Sequence, residues 1–346
     1  MAEPVASRAP AKAGAESSPP DVSVVIVNWN VRDLLRRCLA SIASSDELFL
    51  AGAGKSAGRW TAEIIVVDNA SNDGSVAMLA SEFPWVQVIA NTDNAGFTRA
   101  NNQGLAASRG RFVLFLNPDT ELATDALAAM LAFVESNPPV GILGPQLRYG
   151  DGAMQSSRRR FPTLATFFVE STVVQQWWPR NQVLSRYYVL DRPDDAIIRV
   201  DWVVGACMLV RRAVLNEIGG FDEGFFMYSE ELDLCRRAVQ AGWQVVYFPP
   251  AVVTHYEGKS SEQVVAARHI RFFSSRVRYV RIYHGALAAA VVRAFLLLTF
   301  VYQWIVEAAK WLAGLVIPSQ RGQRSMRRER MDAYRAVLRS RLRSRR

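Results

Sequence analysis

Short apolar runs alternate with helical patterns along residues 22–143. The runs predicted to be strands are Val22–Val27, Ile64–Val67, Val86–Ala90, Phe112–Leu116 and Val140–Leu143. The helical patterns between them are Val31–Ser44, Val76–Glu82, Thr98–Ala107 and Asp125–Ser136. This alternation predicts an α/β fold with a mostly parallel sheet that is covered by helices on both faces. Ligands bind such sheets at the carboxyl ends of the strands, so chemistry is expected just after each strand.

The second half of the chain is less regular. Residues 151–201 are rich in Arg, Trp and Pro and are predicted to be irregular. Regular structure resumes with a strand at Ala206–Val210, a helix at Glu230–Ala241 and a strand at Gln244–Phe248. That last strand is predicted to end at Pro249-Pro250, because proline cannot donate to a sheet. Beyond about residue 264 the pattern is helical, amphipathic and basic.

Two phosphate-binding signatures are excluded. The segment Ala51-Gly52-Ala53-Gly54-Lys55-Ser56 resembles a Walker loop, but Phe49 stands where that pattern needs a glycine. No GxGxxG follows the first strand, which argues against a dinucleotide-binding site. We interpret residues 45–60 as a surface loop.

The positive charge of the chain is concentrated at one end. Residues 319–346 hold 11 arginines against Glu329 and Asp332, and this net +9 equals that of the whole chain. The rest of the protein is therefore neutral, and a basic arm after an apolar stretch favours anionic lipid over nucleic acid as its partner. The 3 cysteines show no CxxC spacing, so neither a disulfide framework nor a zinc site is indicated.

Acidic side chains and one histidine follow the predicted strands or begin helices. Asp68 lies in a turn-forming segment, and Asp119 follows the apolar run Phe112–Leu116, where a carboxylate can hold a divalent cation. The acidic cluster after Ser229 suits a helix start as well as a general base. A single histidine such as His255 is more often structural than a ligand. Each feature alone is compatible with a purely structural role.

The order of several motifs is more specific. These are Val22–Asn30, Val66-Val67-Asp68-Asn69-Ala70-Ser71-Asn72-Asp73-Gly74-Ser75, Asn94-Ala95-Gly96-Phe97 with Asn101-Asn102, Leu116-Asn117-Pro118-Asp119, Gly219-Gly220-Phe221-Asp222-Glu223 with Glu230-Glu231-Leu232-Asp233, and His255. Together they resemble the inverting family 2 glycosyltransferases, especially their rhamnosyltransferase-like branch. The resemblance covers about residues 21 to 260 and implies a GT-A (Rossmann-like) fold.

The resemblance also implies a donor site and a metal site. Asn28, Asp68, Asn94, Arg99 and Asn117 would bind the nucleotide diphosphate-sugar. Asp119 would coordinate Mn²⁺ or Mg²⁺ on the diphosphate, together with His255. The chain departs from the DxD pattern of the family, because Asn117 replaces the first carboxylate and leaves less negative charge at the metal.

Catalytic and acceptor roles follow by the same resemblance. Glu231 would be the catalytic base, with Glu230 and Asp233 holding the acceptor or the base. Trp202, Arg158 and Arg159 are the candidate acceptor residues, since tryptophan rings stack on sugars and arginines clamp diphosphates. The QxxRW motif of processive synthases is missing from the sequence, which favours addition of a single sugar.

The segment Ala286–Val306 is long enough to cross a bilayer. On a helical projection, Arg293, Gln303, Glu307 and Lys310 share an arc of about 100°, and the remaining face is apolar. Basic clusters on both sides of the segment oppose a single crossing. We expect a monotopic helix in the membrane interface rather than a transmembrane helix, with docking onto the catalytic body as the remaining alternative.

The expected organisation has four parts. These are a disordered arm (1–20), a GT-A domain (21–263, with an acceptor part at about 145–260), an amphipathic helical region (264–318) and an Arg-rich tail (319–346). The expected activity is transfer of a sugar, rhamnose from dTDP-rhamnose as the leading candidate, to a glycan or polyprenyl-diphosphate-linked acceptor. This would take place at the cytoplasmic face of the cell membrane, in cell-surface polysaccharide synthesis. A nucleotidyltransferase and a catalytically silent membrane-associated assembly protein with a transferase fold are the alternatives.

Overall fold

The structure is a computed structural model that describes residues 18–50, 52–53, 58–256, 265–316 and 322–343. Nearly all of the arm predicted at 1–20 and residues 51 and 54–57 of the surface loop predicted at 45–60 lie outside these residues. The loop prediction is wrong at Leu48–Leu50, which is a strand of the sheet with both leucines buried. The strands are β1 Val22–Asn28, β2 Leu48–Leu50, β3 Trp60–Asp68, β4 Gln87–Ala90, β5 Phe112–Leu116, β6 Thr120–Leu122, β7 Val140–Arg148, β8 Met154–Gln155, β9 Arg158–Arg159, β10 Ile198–Val200, β11 Trp202–Val203, β12 Cys207–Arg211 and β13 Gln244–His255. The helices are α1 Arg32–Ala43, α2 Ser75–Glu82, α3 Phe97–Ala107, α4 Ala126–Ser136, α5 Leu164–Val169, α6 Val173–Trp177, α7 Gln182–Tyr187, α8 Arg212–Ile218, α9 Glu230–Gln240, α10 Val265–Val316 and α11 Arg324–Ser340.

One large sheet organises the molecule, in the order β10-β13-β7-β12-β5-β1-β3-β2. Strand β1 pairs in parallel with β3 and β5, and every residue of β1 and β5 is buried. Helices that follow the strands cover both faces, which is why these strands are apolar throughout. Strand β12 runs antiparallel between β5 and β7, so the sheet is mixed beyond its parallel half. The predicted α/β architecture is confirmed.

Strand β13 corrects one expectation. It continues through Pro249-Pro250 to His255 and does not end at Phe248. Its pairing with β7 shifts register between Phe248 and Val252, so the two prolines occupy an irregularity where ladder hydrogen bonds are not required. The continuation pairs with β6 and places His255 opposite Thr120.

Residues 151–201, which were predicted to be irregular, contain short helices. Helices α5, α6 and α7 begin after Thr163, Thr172 and Asn181, and each of these side chains accepts a hydrogen bond from a backbone amide of its helix. Polar side chains of this kind satisfy the free amides of a first helical turn. The sequence pattern did not reveal helices this short, because they are too brief to show a periodicity.

The C-terminal region folds back on itself. Helix α10 reverses at Gly285, whose φ of 89° lies in the left-handed region. The reversal brings the rings of Phe273 and Phe300 to 5.0 Å, so residues 265–284 (α10a) lie beside residues 286–316 (α10b). The Arg-rich tail is helical rather than extended: α11 contacts α10b through Tyr334 and Phe300, whose ring centroids are 5.7 Å apart.

Candidate active site

The ends of β1 and β3 carry the first predicted pair of donor residues. Asn28 and Asp68 are register partners, and Nδ2 of Asn28 donates to Asp68 Oδ1 at 2.8 Å. The amide of Ser71 donates to the other oxygen of Asp68 at 2.9 Å. Both predicted side chains are buried, yet Asn28 Oδ1 has no hydrogen-bond partner among the described residues. Parallel pairing therefore brings them together as predicted, with one acceptor left free.

Asn94 and Arg99 lie at the start of α3. Asn94 Oδ1 accepts from the amide of Gly96, and Arg99 is exposed in the first turn of the helix. The carbonyl of Phe226 accepts from the amide of Phe97, and the Phe226 ring packs against Gly96, where a Cβ would lie 2.8 Å from it. The loop that leads to α9 is therefore fixed against the donor side.

Asn117, Asp119 and His255 converge at the end of β5. Nε2 of His255 lies 3.4 Å from Asp119 Oδ1 and 3.5 Å from Asn117 Nδ2. Asp119 and His255 are each 5% exposed, and Oδ1 of Asn117 is buried without a hydrogen-bond partner in the described structure. Three predicted residues, 138 positions apart at the extremes, thus form one cluster.

Gln155 orients the histidine ring. Its Oε1 lies 2.9 Å from His255 Nδ1. An amide oxygen only accepts, so Nδ1 is the donor in this contact, and Nε2 on the other side of the ring faces Asp119. Such a partner on the far nitrogen is the usual companion of a metal-binding histidine.

The acidic cluster begins α9 from a strained turn. Tyr228 and Ser229 both adopt left-handed backbone angles, with φ of 70° and 66°, which is uncommon for residues other than glycine. Glu230 is buried and Glu231 half-buried, and Oε2 of each is without a hydrogen-bond partner in the part of the chain that the structure describes. Strain of this kind at a functional turn is consistent with a fixed catalytic geometry.

Burial raises the pKa of both glutamates. For Glu230 the second cause is repulsion from the Glu231 charge. For Glu231 the effect of burial is opposed by hydrogen bonds from backbone amides, including that of Gly205, and by the Arg159 charge. A carboxylate whose pKa is raised toward neutrality is a better proton acceptor at physiological pH.

Asp233 was predicted to hold the acceptor or the base. In the structure its carboxylate contacts Arg237 and Tyr283. Nε of Arg237 donates to its Oδ2 at 2.8 Å, and the hydroxyl of Tyr283 donates to its Oδ1 at 2.6 Å. The side chain is buried, so it joins α9 to α10a.

Two successive backbone positions join Glu231 to the cluster of Asn117, Asp119 and His255. The carbonyl of Ala206 accepts from the amide of Asn117 at 2.9 Å. A Cβ on its neighbour Gly205 would lie 3.3 Å from the Glu231 Cβ, so glycine here lets α9 approach closely. Donor-side and base-side residues therefore belong to one site.

The acceptor candidates lie on the small ribbon formed by β9 and β11, where Arg159 pairs with Trp202. The guanidinium of Arg159 lies 4.5 Å from the ring centroid of Tyr188. Arg158, by contrast, is 3% exposed and donates to the carbonyls of Pro193 and Arg192 at 2.6 and 2.8 Å. These hydrogen bonds hold the loop around residue 193. Because Arg158 is buried, its side chain is not accessible to an acceptor that approaches from solvent.

The family model described as "Glycosyl transferase family 2" matches residues 23–219, more than half of the chain. The protein belongs to glycosyltransferase family 2. It is an enzyme of sugar transfer, which decides against the nucleotidyltransferase alternative. A second model, "Glycosyl transferase family 21", matches residues 194–320.

Similar proteins support this family 2 assignment. An N-acetylglucosaminyl-diphospho-decaprenol L-rhamnosyltransferase of Mycobacterium tuberculosis is 32% identical over 261 residues, which is 71% of this chain and 80% of the relative. The rhamnosyltransferase WbbL of Escherichia coli is 26% identical over 271 residues, 75% of this chain and 92% of the relative. A crystal structure of GalNAc-T7 with UDP, GalNAc and Mn²⁺ superposes with a TM-score of 0.54 at 17% identity, covering 78% of this chain and about half (49%) of that one. The predicted GT-A fold is thereby confirmed.

Gln155 and Tyr283 contribute to the site although sequence reasoning gave them no role. Gln155 holds His255 across 100 residues, and Tyr283 holds Asp233 across 50. Neither contact follows from local periodicity, and a glutamine in the two-residue strand β8 has no sequence signature of its own.

Proposed function

We propose that this family 2 transferase moves rhamnose from dTDP-rhamnose to a polyprenyl-diphosphate-linked glycan in cell-surface polysaccharide synthesis, with inversion. The observation that carries the proposal is the junction at Gly205-Ala206, where Glu231 and the Asn117–Asp119–His255 cluster meet. The names of the two rhamnosyltransferase relatives support the sugar and the lipid-linked acceptor.

The residues at the sheet edge fit a nucleotide diphosphate and a divalent cation. Within the described residues no cluster of three or more His, Cys, Asp or Glu side chains is placed to hold a metal ion. Asp119 and His255, with the free oxygen of Asn117, form a smaller set of O and N ligands that suits Mn²⁺ or Mg²⁺ and leaves positions for phosphate oxygens and water. A bound cation would stabilise negative charge on the leaving diphosphate. The GalNAc-T7 structure, which contains Mn²⁺ together with UDP, supports this proposal.

Donor recognition is assigned to the first two strand ends and to α3. Asn28 and Asp68 would contact the nucleoside, with the free Oδ1 of Asn28 as an acceptor. Arg99, which is exposed in the first turn of α3, would face the diphosphate. Asn94 shapes the turn before that helix through its bond to Gly96.

Glu231 would act as the base. It accepts the proton of the acceptor hydroxyl as the oxygen attacks the anomeric carbon, while the bond to the nucleoside diphosphate breaks on the opposite face. This single displacement inverts the anomeric centre. We assign Glu230 to packing beside Glu231 at the start of α9, where the Glu231 charge raises the pKa of Glu230, and Asp233 to positioning α9 through Arg237 and Tyr283.

The acceptor is assigned to the β9–β11 ribbon. Arg159 is held by aromatic rings beside Glu231 and would pair with a phosphate of the acceptor. Trp202 is buried and donates to the carbonyl of Arg160, so it supports the ribbon rather than offering an open stacking face. Arg158 would contribute to the acceptor site indirectly, because its hydrogen bonds hold the loop around residue 193.

The proposed domain division follows these roles. The GT-A domain spans 21–263, with the acceptor part at about 145–260, and precedes the helical region (264–318) and the Arg-rich tail (319–346). We place the enzyme at the cytoplasmic face of the cell membrane, where nucleotide-sugars are made and anionic lipid is available.

Transfer from dTDP-[¹⁴C]rhamnose to a short-chain N-acetylglucosaminyl-diphospho-polyprenol tests this function. We expect a labelled lipid product of inverted configuration by NMR, and loss of donor binding in Asp119→Ala. Glu217→Gln, which removes a carboxylate on α8 that holds the indole of Trp243, is the matched control and should retain turnover. Transfer from another nucleotide-sugar with none from dTDP-rhamnose would overturn the donor assignment.

A further inference from the structure

Helix α10b exposes a continuous apolar stripe. Leu287, Leu298, Ile305 and Leu312 are 80%, 67%, 55% and 55% exposed. With Val291 and Val301, these residues recur at intervals of three, four or seven positions, which places them on one face of a helix. At 1.5 Å per residue, the stripe from Leu287 to Leu312 is about 38 Å long. By length and apolar composition, Ala266–Leu315 is the one helix in the described residues that could cross a membrane.

The opposite face of α10b packs against protein, and Arg293 and Glu307 of the charged arc take part in this packing, whereas Lys310 at the edge of the arc is exposed. Glu307 is 7% exposed, and its carboxylate oxygens lie 3.7 Å from side-chain nitrogens of Lys310, Arg327 and Arg330. Nε of Arg293 donates to the carbonyl of Arg341 at 2.6 Å. The polar arc therefore faces α11, and the apolar arc is the exposed one.

The borders of the stripe carry aromatic rings and arginines. On one side the ring of Trp177, 67% exposed, lies 5.6 Å from that of Tyr302. On the other side Arg335 stacks over Trp304 at 5.2 Å and Arg324 over Trp311 at 4.7 Å. Tryptophan and arginine concentrate where hydrocarbon gives way to lipid headgroups.

The packing of α10b opposes a crossing of the bilayer. Its neighbour α10a is tied to the catalytic domain, since Tyr283 bonds Asp233 and Arg278 bonds Asp222, each at 2.6 Å. The other neighbour, α11, carries exposed arginines along its length. If α10b crossed the bilayer, both neighbours would enter the hydrocarbon with their charges, which is strongly unfavourable.

We propose that the apolar stripe of α10b, bordered by Trp177 and Trp178 and by the arginines of α11, is a surface that lies in the plane of an anionic lipid bilayer. A second copy of the chain is the less suitable occupant, because an antiparallel two-fold contact over this face would bring the two arginine borders together. Trp177 lies in the proposed acceptor part (about residues 145–260), so binding of this surface to the bilayer holds the acceptor part at the level of the lipid headgroups. The inference does not depend on which sugar is transferred.

Flotation of the full chain with vesicles, without substrate, tests the surface. Phosphatidylglycerol-containing vesicles should bind the protein more strongly than phosphatidylcholine alone, and Leu298→Glu with Ile305→Glu should weaken binding at least about tenfold. Leu190→Glu is the matched control, since Leu190 is 64% exposed but lies outside the stripe. Unchanged binding of the double variant would overturn the proposal, as would conversion of a dimer to monomers in light scattering.

A measurement of depth in the bilayer distinguishes a helix that lies in the plane of the membrane from one that crosses it. The three native cysteines are buried, so Val291→Cys, Val301→Cys and Leu312→Cys, made separately, allow a fluorophore to be attached at each end and in the middle of the stripe. Spin-labelled lipids should quench all three positions equally and at a shallow depth. Quenching of the Val301 position near mid-bilayer, with both ends shallow, would show a crossing helix and overturn the in-plane geometry.

Discussion

The proposed donor side and the proposed base side of this active site are built differently. On the donor side Asn28, Asp68 and Asn117 follow neighbouring strands, and the parallel register alone brings them together. On the base side α9 is positioned by Tyr283 from a helix that begins after residue 264. The proposed donor site is therefore formed by adjacent βα units, whereas the position of the proposed base depends on a helix that is distant in the sequence.

The largest expected effect separates the two sides. Glu231→Gln should lower kcat by about 10³-fold, because the amide cannot take the acceptor proton. Binding of the nucleotide, which is assigned to the other side, should stay unchanged in calorimetry. Undiminished turnover would remove Glu231 from the role of base.

The next effect belongs to the donor side. Gln155→Leu should weaken metal-dependent nucleotide binding by about 10- to 100-fold, because the ring of His255 loses its orienting partner. Gln146→Leu removes another buried glutamine, one that bonds Arg148 and not His255, and serves as control. Equal losses in both variants would show a general packing effect.

A smaller effect tests the distant support of the base. Tyr283→Phe removes one hydrogen bond to a buried carboxylate, which is worth about 1–3 kcal/mol. We expect kcat to fall about fivefold to tenfold with the donor KM unchanged. Tyr302→Phe, on α10b, should retain full kcat; a matching loss in that variant would contradict a specific role for Tyr283.

The smallest effect concerns stability. The pKa of Glu230 is raised in the folded protein by burial and by the Glu231 charge, so the folded state binds its proton more tightly than the unfolded state does. Its contribution to stability is therefore greatest at low pH and declines as pH rises above the unfolded value. Glu230→Gln should raise Tm relative to wild type more at pH ~8 than at pH ~5. A pH-independent difference would contradict the raised pKa.

The same contrast explains what the sequence could predict. The edges of β5 and the position of Asp119 follow from an apolar run and a turn. His255 reaches Asp119 because strand β13 continues past Pro249 and Pro250, whereas the sequence pattern predicted that this strand ends at the two prolines. The helix formed by the tail and the Tyr283–Asp233 bond depend on tertiary packing, which no window of sequence contains.

The most direct test of the donor site is isothermal titration of the protein with dTDP, UDP and GDP, first with Mn²⁺ and then with EDTA. We predict that one nucleotide, dTDP, binds with Mn²⁺, that EDTA abolishes the binding, and that Asp119→Ala lacks it. Absence of binding to every nucleotide would contradict the donor site and favour a silent assembly protein, and equal binding in EDTA would contradict the metal cluster.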